Sequence, residues 1–452
     1  MKNIHFIAIG GSAMHNLAIE LYKKGYNVTG SDDSIFEPSK SRLIRYGLLP
    51  NELGWFKEKI SNKVEGVILG MHAKKDNIEL LEAQRKNVPI FSYPEFLFNH
   101  SKLKTRVVIS GSHGKTSITS MILHVLNFNN ISVDYMLGAQ LDGFETMVHL
   151  TEENDFILIE GDEYLSSAID LKSKFLWYKP NITLISGIYW DHVNVFPTVE
   201  LYEKQFRDYI ESIVPGGVLV FNESDQTLKR IVKDSKNTIR RESYDIPEHC
   251  IINGKTFLKT NYGEVPLKIF GKHNLENLSG AKWICQLMGI DSVNFYDAIS
   301  TFNGASKRLE LIHNGINSFL YKDFAHSPSK VKASSIAIHE QFPELKKVFC
   351  LELHTYSSLD PDFIKRYSGS LDLADESIIF YNPNAQKFKE RLPLTIENIK
   401  DAFSNSSIII FTNQEDLSKH LCDKKWDNSV LLMMSSGNYC GIDWDVLKSN
   451  FK

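Results

Sequence analysis

The stretch "TRVVISGSHGKTSITSMIL", Thr105 to Leu123, sets a β-branched apolar run against a glycine-bounded turn and then a helical run. Phosphate-binding loops between a strand and a helix are usually spaced G-x-x-x-x-G-K-[ST], and five places before Gly114 this chain has Ile109. The context is still that of the same device: a strand before, a helix after, and Lys115-Thr116 at the junction. A turn of Gly111, Ser112, His113 and Gly114 can aim successive backbone amides at phosphates, with Lys115 meeting the terminal phosphates and the Thr116 hydroxyl reaching a magnesium ion. The stretch therefore predicts a shortened nucleotide loop inside a parallel α/β sheet.

Outward from that loop the chain falls into three blocks, each opening on a β-rich run. Upstream, the strand "IHFIAI", a glycine turn, a helix through Leu21 and the strand "YNVTGSD" have the rhythm of a parallel βαβ unit. "VEGVILGM" and "VPIFSYPEFL" follow, and the block closes near Ser101. Downstream of "TRVVIS", the runs "DFILIE", "NITLIS" and "GGVLVFN" alternate with helical patterns. After "FNGASKRLE" a third alternation runs through "INSFLYKDFAH", "KKVFCLEL", "ESIIFY", "SIIIFT" and "SVLLMMSSG". The expected fold class is α/β in three domains: residues 1–103 Rossmann-like, 104–305 a central P-loop domain, and 306–452 a second Rossmann-like domain.

With 452 residues, 42% of them hydrophobic, the chain can bury several cores. A formal charge of −4 gives no electrostatic reason to expect a nucleic acid or a membrane surface as partner. The five cysteines are scattered and odd in number, without a C-x-x-C pair, which points to neither a disulfide framework nor a zinc site. No run approaches the ~20 apolar residues of a membrane span, and the expected location is the cytoplasm. The expected assembly is a monomer or a weak homodimer.

Three further constellations carry chemistry. In "AIGGSAMHNLAIEL", Gly10 and Gly11 stand between strand and helix, and Asp32 ends the next strand. Amides at a helix N-terminus facing a pyrophosphate, with a carboxylate facing a ribose, would be served by that arrangement, although Ala8 and Ala13 occupy the outer glycine positions. UDP and NAD fit the turn equally well. "FILIEGDEYLSS" runs an apolar strand into Glu160, Asp162 and Glu163, and "LISGIYWDHVNVF" runs another into Asp191 and His192. Carboxylate and imidazole at the C-terminal ends of parallel strands lie where α/β sheets bind ligands, and magnesium prefers oxygen donors such as Glu160.

The order of these motifs resembles the Mur ligase family, ATP-dependent enzymes that join amino acids or peptides to UDP-N-acetylmuramate. That family uses the short loop G-[TS]-x-G-K-[TS], which "GSHGKT" fits. The resemblance implies ATP binding by Gly111, Ser112, His113, Gly114, Lys115, Thr116 and Ser117. It also implies catalytic roles for Lys115, Glu160 and His192, with magnesium on Thr116, Glu160 and His192. "GKHNLEN" implies His273, Asn274 and Asn277 near the adenine, "FNGASKRLE" implies Arg308, and "YKDFAHSP" implies Asp323 and His326 on the ATP side of the third domain. A UDP-sugar site is implied on Gly10, Gly11, Ser12, Asp32 and His72.

Within the family, one branch adds L-alanine and another, in peptidoglycan recycling, adds the tripeptide L-alanyl-γ-D-glutamyl-meso-diaminopimelate. "DEY", "KSKF", "DH" followed by "VFP", and "MSSGNYCGI" resemble the recycling branch. Three positions depart from the family pattern: Gly187 replaces an asparagine, Lys322 the first aspartate of D-D-Y-A-H, and Thr355 an arginine. The expected chemistry is phosphorylation of the muramyl carboxylate by ATP, then attack on the acyl phosphate by a neutral amine.

Overall fold

A computed structural model describes residues 2–138, 143–190, 195–305, 308–355, 357–383 and 394–451. Four short strands, β1 (Asn3–Ile7), β2 (Asn27–Ser31), β3 (Gly66–Leu69) and β4 (Ile90–Ser92), form a parallel sheet in the order β2-β1-β3-β4. The order reverses at β1, and such switch points open a crevice at the carboxyl edge of the strands. Gly10 follows β1, Asp32 follows β2 and His72 follows β3, so one edge carries all three.

The expected loop strand is the middle of a second sheet. Its members are β5 (Thr105–Ser110), β6 (Asp134–Met136), β7 (Val148–His149), β8 (Phe156–Gly161), β9 (Ile182–Ile185), β10 (Val218–Asn222) and β11 (Arg240–Tyr244). They run β11-β10-β9-β5-β8-β6-β7, parallel except for β6 against β7. Val107, Val108, Ile109, Ile157, Leu158 and Ile159 are buried, as strands covered on both faces require. Ile109 pairs with Glu160 and Ser110 with Ile185, which brings the loop and the ends of β8 and β9 out together.

The helix Ser12–Lys23 covers the β7 edge of this sheet. Asn16 Oδ1 accepts from the Met147 amide (3.0 Å) and Glu20 Oε1 from the Leu150 amide (2.8 Å). Two side chains one turn apart thus satisfy edge donors that would otherwise invite pairing.

The antiparallel ribbon β12 (His249–Ile252), β13 (Lys255–Thr260) and β14 (Gly263–Leu267) comes next. A six-stranded sheet follows, built from β15 (Glu310–Asn314), β16 (Ser318–Asp323), β17 (Lys346–Leu353), β18 (Glu376–Tyr381), β19 (Ile409–Phe411) and β20 (Ser429–Met434). Its order is β15-β16-β20-β17-β18-β19, antiparallel only at β15. Phe349, Leu351, Val430 and Leu432 enter one core while Val348, Cys350, Leu431 and Met433 enter another, the two-residue period of strands buried on both faces.

The chain divides into two compact units, Met1–Asp245 with Glu276–Ala298, and Ile246–Leu275 with Ile299–Lys452. The first holds the two sheets on either side of the 103/104 boundary, which we propose as a domain boundary. The ribbon residues, which motif order alone assigns to the central block, belong to the second unit. There Thr256 Oγ1 donates to Gln341 (3.0 Å) and Gln341 Nε2 to the Gly254 carbonyl (2.6 Å). No helix among the described residues is long and apolar enough to cross a membrane.

Candidate functional site

The loop after β5 ends at Gly114, which caps the helix Lys115–Phe128 with φ +81. Glycine is needed there twice over. The left-handed backbone disfavours a side chain, and a Cβ would collide with the Asn277 amide. Lys115 Nζ donates to the Gly111 carbonyl (2.6 Å) and to Glu163 Oε2 (3.3 Å). Burial acts to lower the Lys115 pKa, but the charges of Glu163, Asp162 and Glu160 outweigh it and raise it, so the ammonium stays charged. Thr116 Oγ1 donates to Glu160 Oε2 (3.2 Å), and Ser117 is buried in the first turn.

Neighbouring elements fix the loop from outside. The Ser112 amide donates to the Gly187 carbonyl (3.0 Å), and Ser186 Oγ donates to the His113 carbonyl. His113 stacks on Tyr189 with ring centroids 5.1 Å apart. Gly187 has φ +152, and a Cβ there would lie 3.0 Å from Asp225 Oδ2. Glycine in place of the family's asparagine therefore suits a strand end that offers its carbonyl to the loop.

The acidic motif leads into a closed loop. The Lys174 amide donates to the Tyr164 carbonyl (2.9 Å), and the Ser166 amide (3.0 Å) and hydroxyl (2.7 Å) both donate to the Lys172 carbonyl. Lys174 Nζ returns to Asp162 Oδ2 at 2.7 Å. The segment that resembles the recycling branch is thus tied to the acidic motif by its own backbone.

Thr116 and Glu160 present a hydroxyl and a carboxylate to the same space. Magnesium takes hard oxygen donors and completes its shell with water and substrate phosphate, so this pair fits it. Among the described residues no three His, Cys, Asp or Glu side chains converge as a metal cage. Asp191 and His192 lie outside the described residues.

At the edge of the first sheet, Asp32 Oδ2 accepts from the Gly10 amide (2.7 Å) and so braces the glycine turn. Burial raises the Asp32 pKa against the amides of Gly10 and Ser34. Ala8 takes φ +68, the conformation a glycine would supply, and its amide and that of Ile9 both reach the Ser31 carbonyl (2.9 and 3.0 Å). Behind Gly11, His15 Nδ1 lies 2.9 Å from the Gly11 carbonyl and Nε2 lies 3.0 Å from Asn16 Nδ2. Ser12 touches Met147 Sδ (3.7 Å), and His72 is exposed.

The second unit gathers its own set. His273 is half-buried beside Asp323 and Arg308, and desolvation lowers its pKa against the Asp323 charge. Asp323 accepts from the Leu309 amide (3.3 Å) and from Ser334, and Arg308 lies over the Phe324 ring (5.0 Å). Asn274 Nδ2 donates to the Phe270 carbonyl (3.0 Å), and His326 Nδ1 lies 2.7 Å from the Phe324 carbonyl. Lys322 lies over Trp444 (4.4 Å), and Thr355 Oγ1 accepts from the Ser358 amide (3.0 Å), so both substituted positions have local structural partners.

Residues 3–105 match the Mur ligase family catalytic domain, and residues 109–285 match the Mur ligase middle domain. The UDP-N-acetylmuramate–L-alanine ligase of Caldicellulosiruptor bescii is 32% identical over 397 residues, 84% of this chain and 83% of that protein. The chain belongs to the Mur ligase family. A tripeptide-adding relative from Haemophilus influenzae, UDP-N-acetylmuramate–L-alanyl-γ-D-glutamyl-meso-2,6-diaminoheptandioate ligase, is 25% identical over 460 residues, 99% of each chain. The crystal structure of the UDP-N-acetylmuramate–alanine ligase of Thermotoga maritima shares the fold, with TM-score 0.71 at 20% identity over 97% of this chain and 96% of that one. As a Mur ligase the protein is an ATP-dependent amide ligase of peptidoglycan synthesis.

The geometry of this Mur ligase unites Gly114, Lys115, Thr116, Glu160 and Asn277 in one unit, and His273, Arg308 and Asp323 in the other. Glu163 bonds Lys115 directly, a role its place in "EGDE" hinted at. Tyr202, on the helix Val199–Glu211, also reaches this network. No motif spacing marks it.

Proposed function

We propose that this Mur ligase joins UDP-N-acetylmuramate to the tripeptide L-alanyl-γ-D-glutamyl-meso-diaminopimelate. The observation that carries the choice of amine is the closed loop from Tyr164 to Lys174, whose residues resemble the recycling branch. The full-length similarity to the H. influenzae tripeptide ligase supports it. In this reading Gly10, Gly11, Ser12, Asp32 and His72 form the UDP-sugar edge, and the loop from Gly111 to Ser117 binds the triphosphate.

Lys115 offsets the charge that gathers on the phosphoryl oxygens as the γ-phosphate passes to the muramyl carboxylate. Thr116 and Glu160, joined by His192, would hold magnesium, which supplies further charge neutralisation at the phosphates. The family resemblance assigns His273, Asn274, Asn277, Arg308, Asp323 and His326 to the nucleotide as well, and of these Asn277 lies beside Gly114. The amine, once neutral, attacks the acyl phosphate and releases inorganic phosphate.

L-Alanine as nucleophile is the second reading, favoured by the 32% identity to the C. bescii enzyme. Phosphate release measured with each amine separates the two. A site that hydrogen-bonds the diaminopimelate end should prefer the tripeptide in kcat/KM by about 10⁴. Equal or better turnover of L-alanine overturns the tripeptide assignment.

A further inference from the structure

Four groups around the loop form a directional chain of hydrogen bonds. The Tyr189 amide donates to Ser112 Oγ (2.8 Å), Ser112 Oγ lies 2.8 Å from Tyr202 Oη, and Tyr202 Oη donates to Glu163 Oε1 (2.8 Å). The other carboxylate oxygen, Oε2, receives Lys115 Nζ. The ionised carboxylate can only accept, so Tyr202 gives its single proton to Glu163 and must accept from Ser112, and the chain runs one way toward Glu163. Tyr202 is fully buried, its ring held edge-on against Phe196 and Phe206 at 5.5 and 5.4 Å.

We propose that Tyr202 is a positioning residue for ATP, setting how firmly Glu163 holds Lys115 and where Ser112 sits on the phosphate loop. This rests on the loop from Gly111 to Ser117 being the ATP site. In the structure Lys115 donates to Gly111 and Glu163, and a phosphate that takes up the ammonium competes with Glu163 for its charge. A hydroxyl donating to Glu163 stabilises part of the carboxylate charge and weakens its hold on the lysine. Without that hydroxyl, Glu163 competes better with the triphosphate, and Ser112 loses the acceptor that orients it.

The test is direct titration of the full-length protein with ATP in the presence of magnesium, alongside steady-state kinetics. Tyr202→Phe keeps the ring and removes only the hydroxyl. Its Kd and KM for ATP should rise about 10-fold, with KM for UDP-N-acetylmuramate unchanged. Tyr209→Phe is the control: that hydroxyl, on the same helix and equally buried, bonds Thr183 (2.7 Å), and its loss should leave ATP affinity unchanged. In a Glu163→Gln background the added effect of Tyr202→Phe should shrink to less than 3-fold, because the hydroxyl acts mainly through that charge. Wild-type protein that binds no ATP would refute the nucleotide site itself. Wild-type binding with an unchanged Kd in Tyr202→Phe, equal losses in the two tyrosine variants, or a full 10-fold effect in the Gln background would each overturn the positioning role.

Discussion

Thr116 Oγ1 donates to Glu160 Oε2 across 3.2 Å, joining the first turn of the loop's helix to the end of the adjacent strand. A hydroxyl and a carboxylate held this way would supply two of the six oxygen donors of a magnesium shell, with the negative charge of Glu160 doing most to attract the ion. Glu160→Gln should therefore raise the magnesium concentration for half-maximal activity at least 10-fold, with partial recovery at saturation. A magnesium titration of phosphate release checks it, and an unchanged curve would move the ligand to Asp162 or Glu163.

Lys115→Ala should abolish product formation, a loss of roughly 3 kcal/mol or more of transition-state stabilisation. Affinity for UDP-N-acetylmuramate should hold, because Gly10 and Asp32 lie on a different sheet from the loop. Calorimetry with the UDP-sugar and a turnover assay together check this. Near wild-type turnover would remove Lys115 from the mechanism.

The residues whose proximity is legible in the sequence are those whose place follows from position on the chain. Lys115, Thr116 and Glu160 sit where a strand gives way to a loop, and register alone brings Ile109 beside Glu160. Tyr202 was not legible, because its bond to Ser112 joins residues 90 positions apart and depends on how one helix packs. Asn277 could be named from its motif, but its contact with Gly114 could not, since that depends on where the helix Lys272–Leu287 lies. The ribbon from His249 to Leu267 was missed for another reason. Its strands mix polar and apolar residues, and only their antiparallel pairing defines them.

Gly187→Asn restores the family's residue and should nonetheless destabilise this protein. An asparagine at φ +152 is strained, and its Cβ would press on Asp225, whose Oδ2 accepts the Ile188 amide (2.6 Å). The cost should be about 1–3 kcal/mol, with weaker ATP binding as the Gly187 carbonyl shifts away from Ser112. Thermal unfolding and ATP titration check it. A variant as stable as wild type, with unchanged ATP affinity, would mean that the backbone there is free to relax.

His15 makes stability depend on pH. Burial lowers its pKa, opposed by the Gly11 carbonyl and assisted by Arg42. Its contacts suit the neutral ring, with Nδ1–H donating to Gly11 and Nε2 accepting from Asn16. A histidine whose folded pKa lies below its unfolded value of ~6.5 contributes stability above that value and loses it as pH falls, because the unfolded chain binds the proton first. The slope can reach about 1.4 kcal/mol per pH unit between the two values. Wild type should lose several degrees of unfolding temperature between pH 7.5 and 5.5, and UDP-sugar affinity should fall in the same window, because the Gly11 turn loosens. His15→Gln, which can still donate to the Gly11 carbonyl but does not titrate, should flatten the dependence. Parallel pH curves for the two proteins would show that the proton is taken up elsewhere.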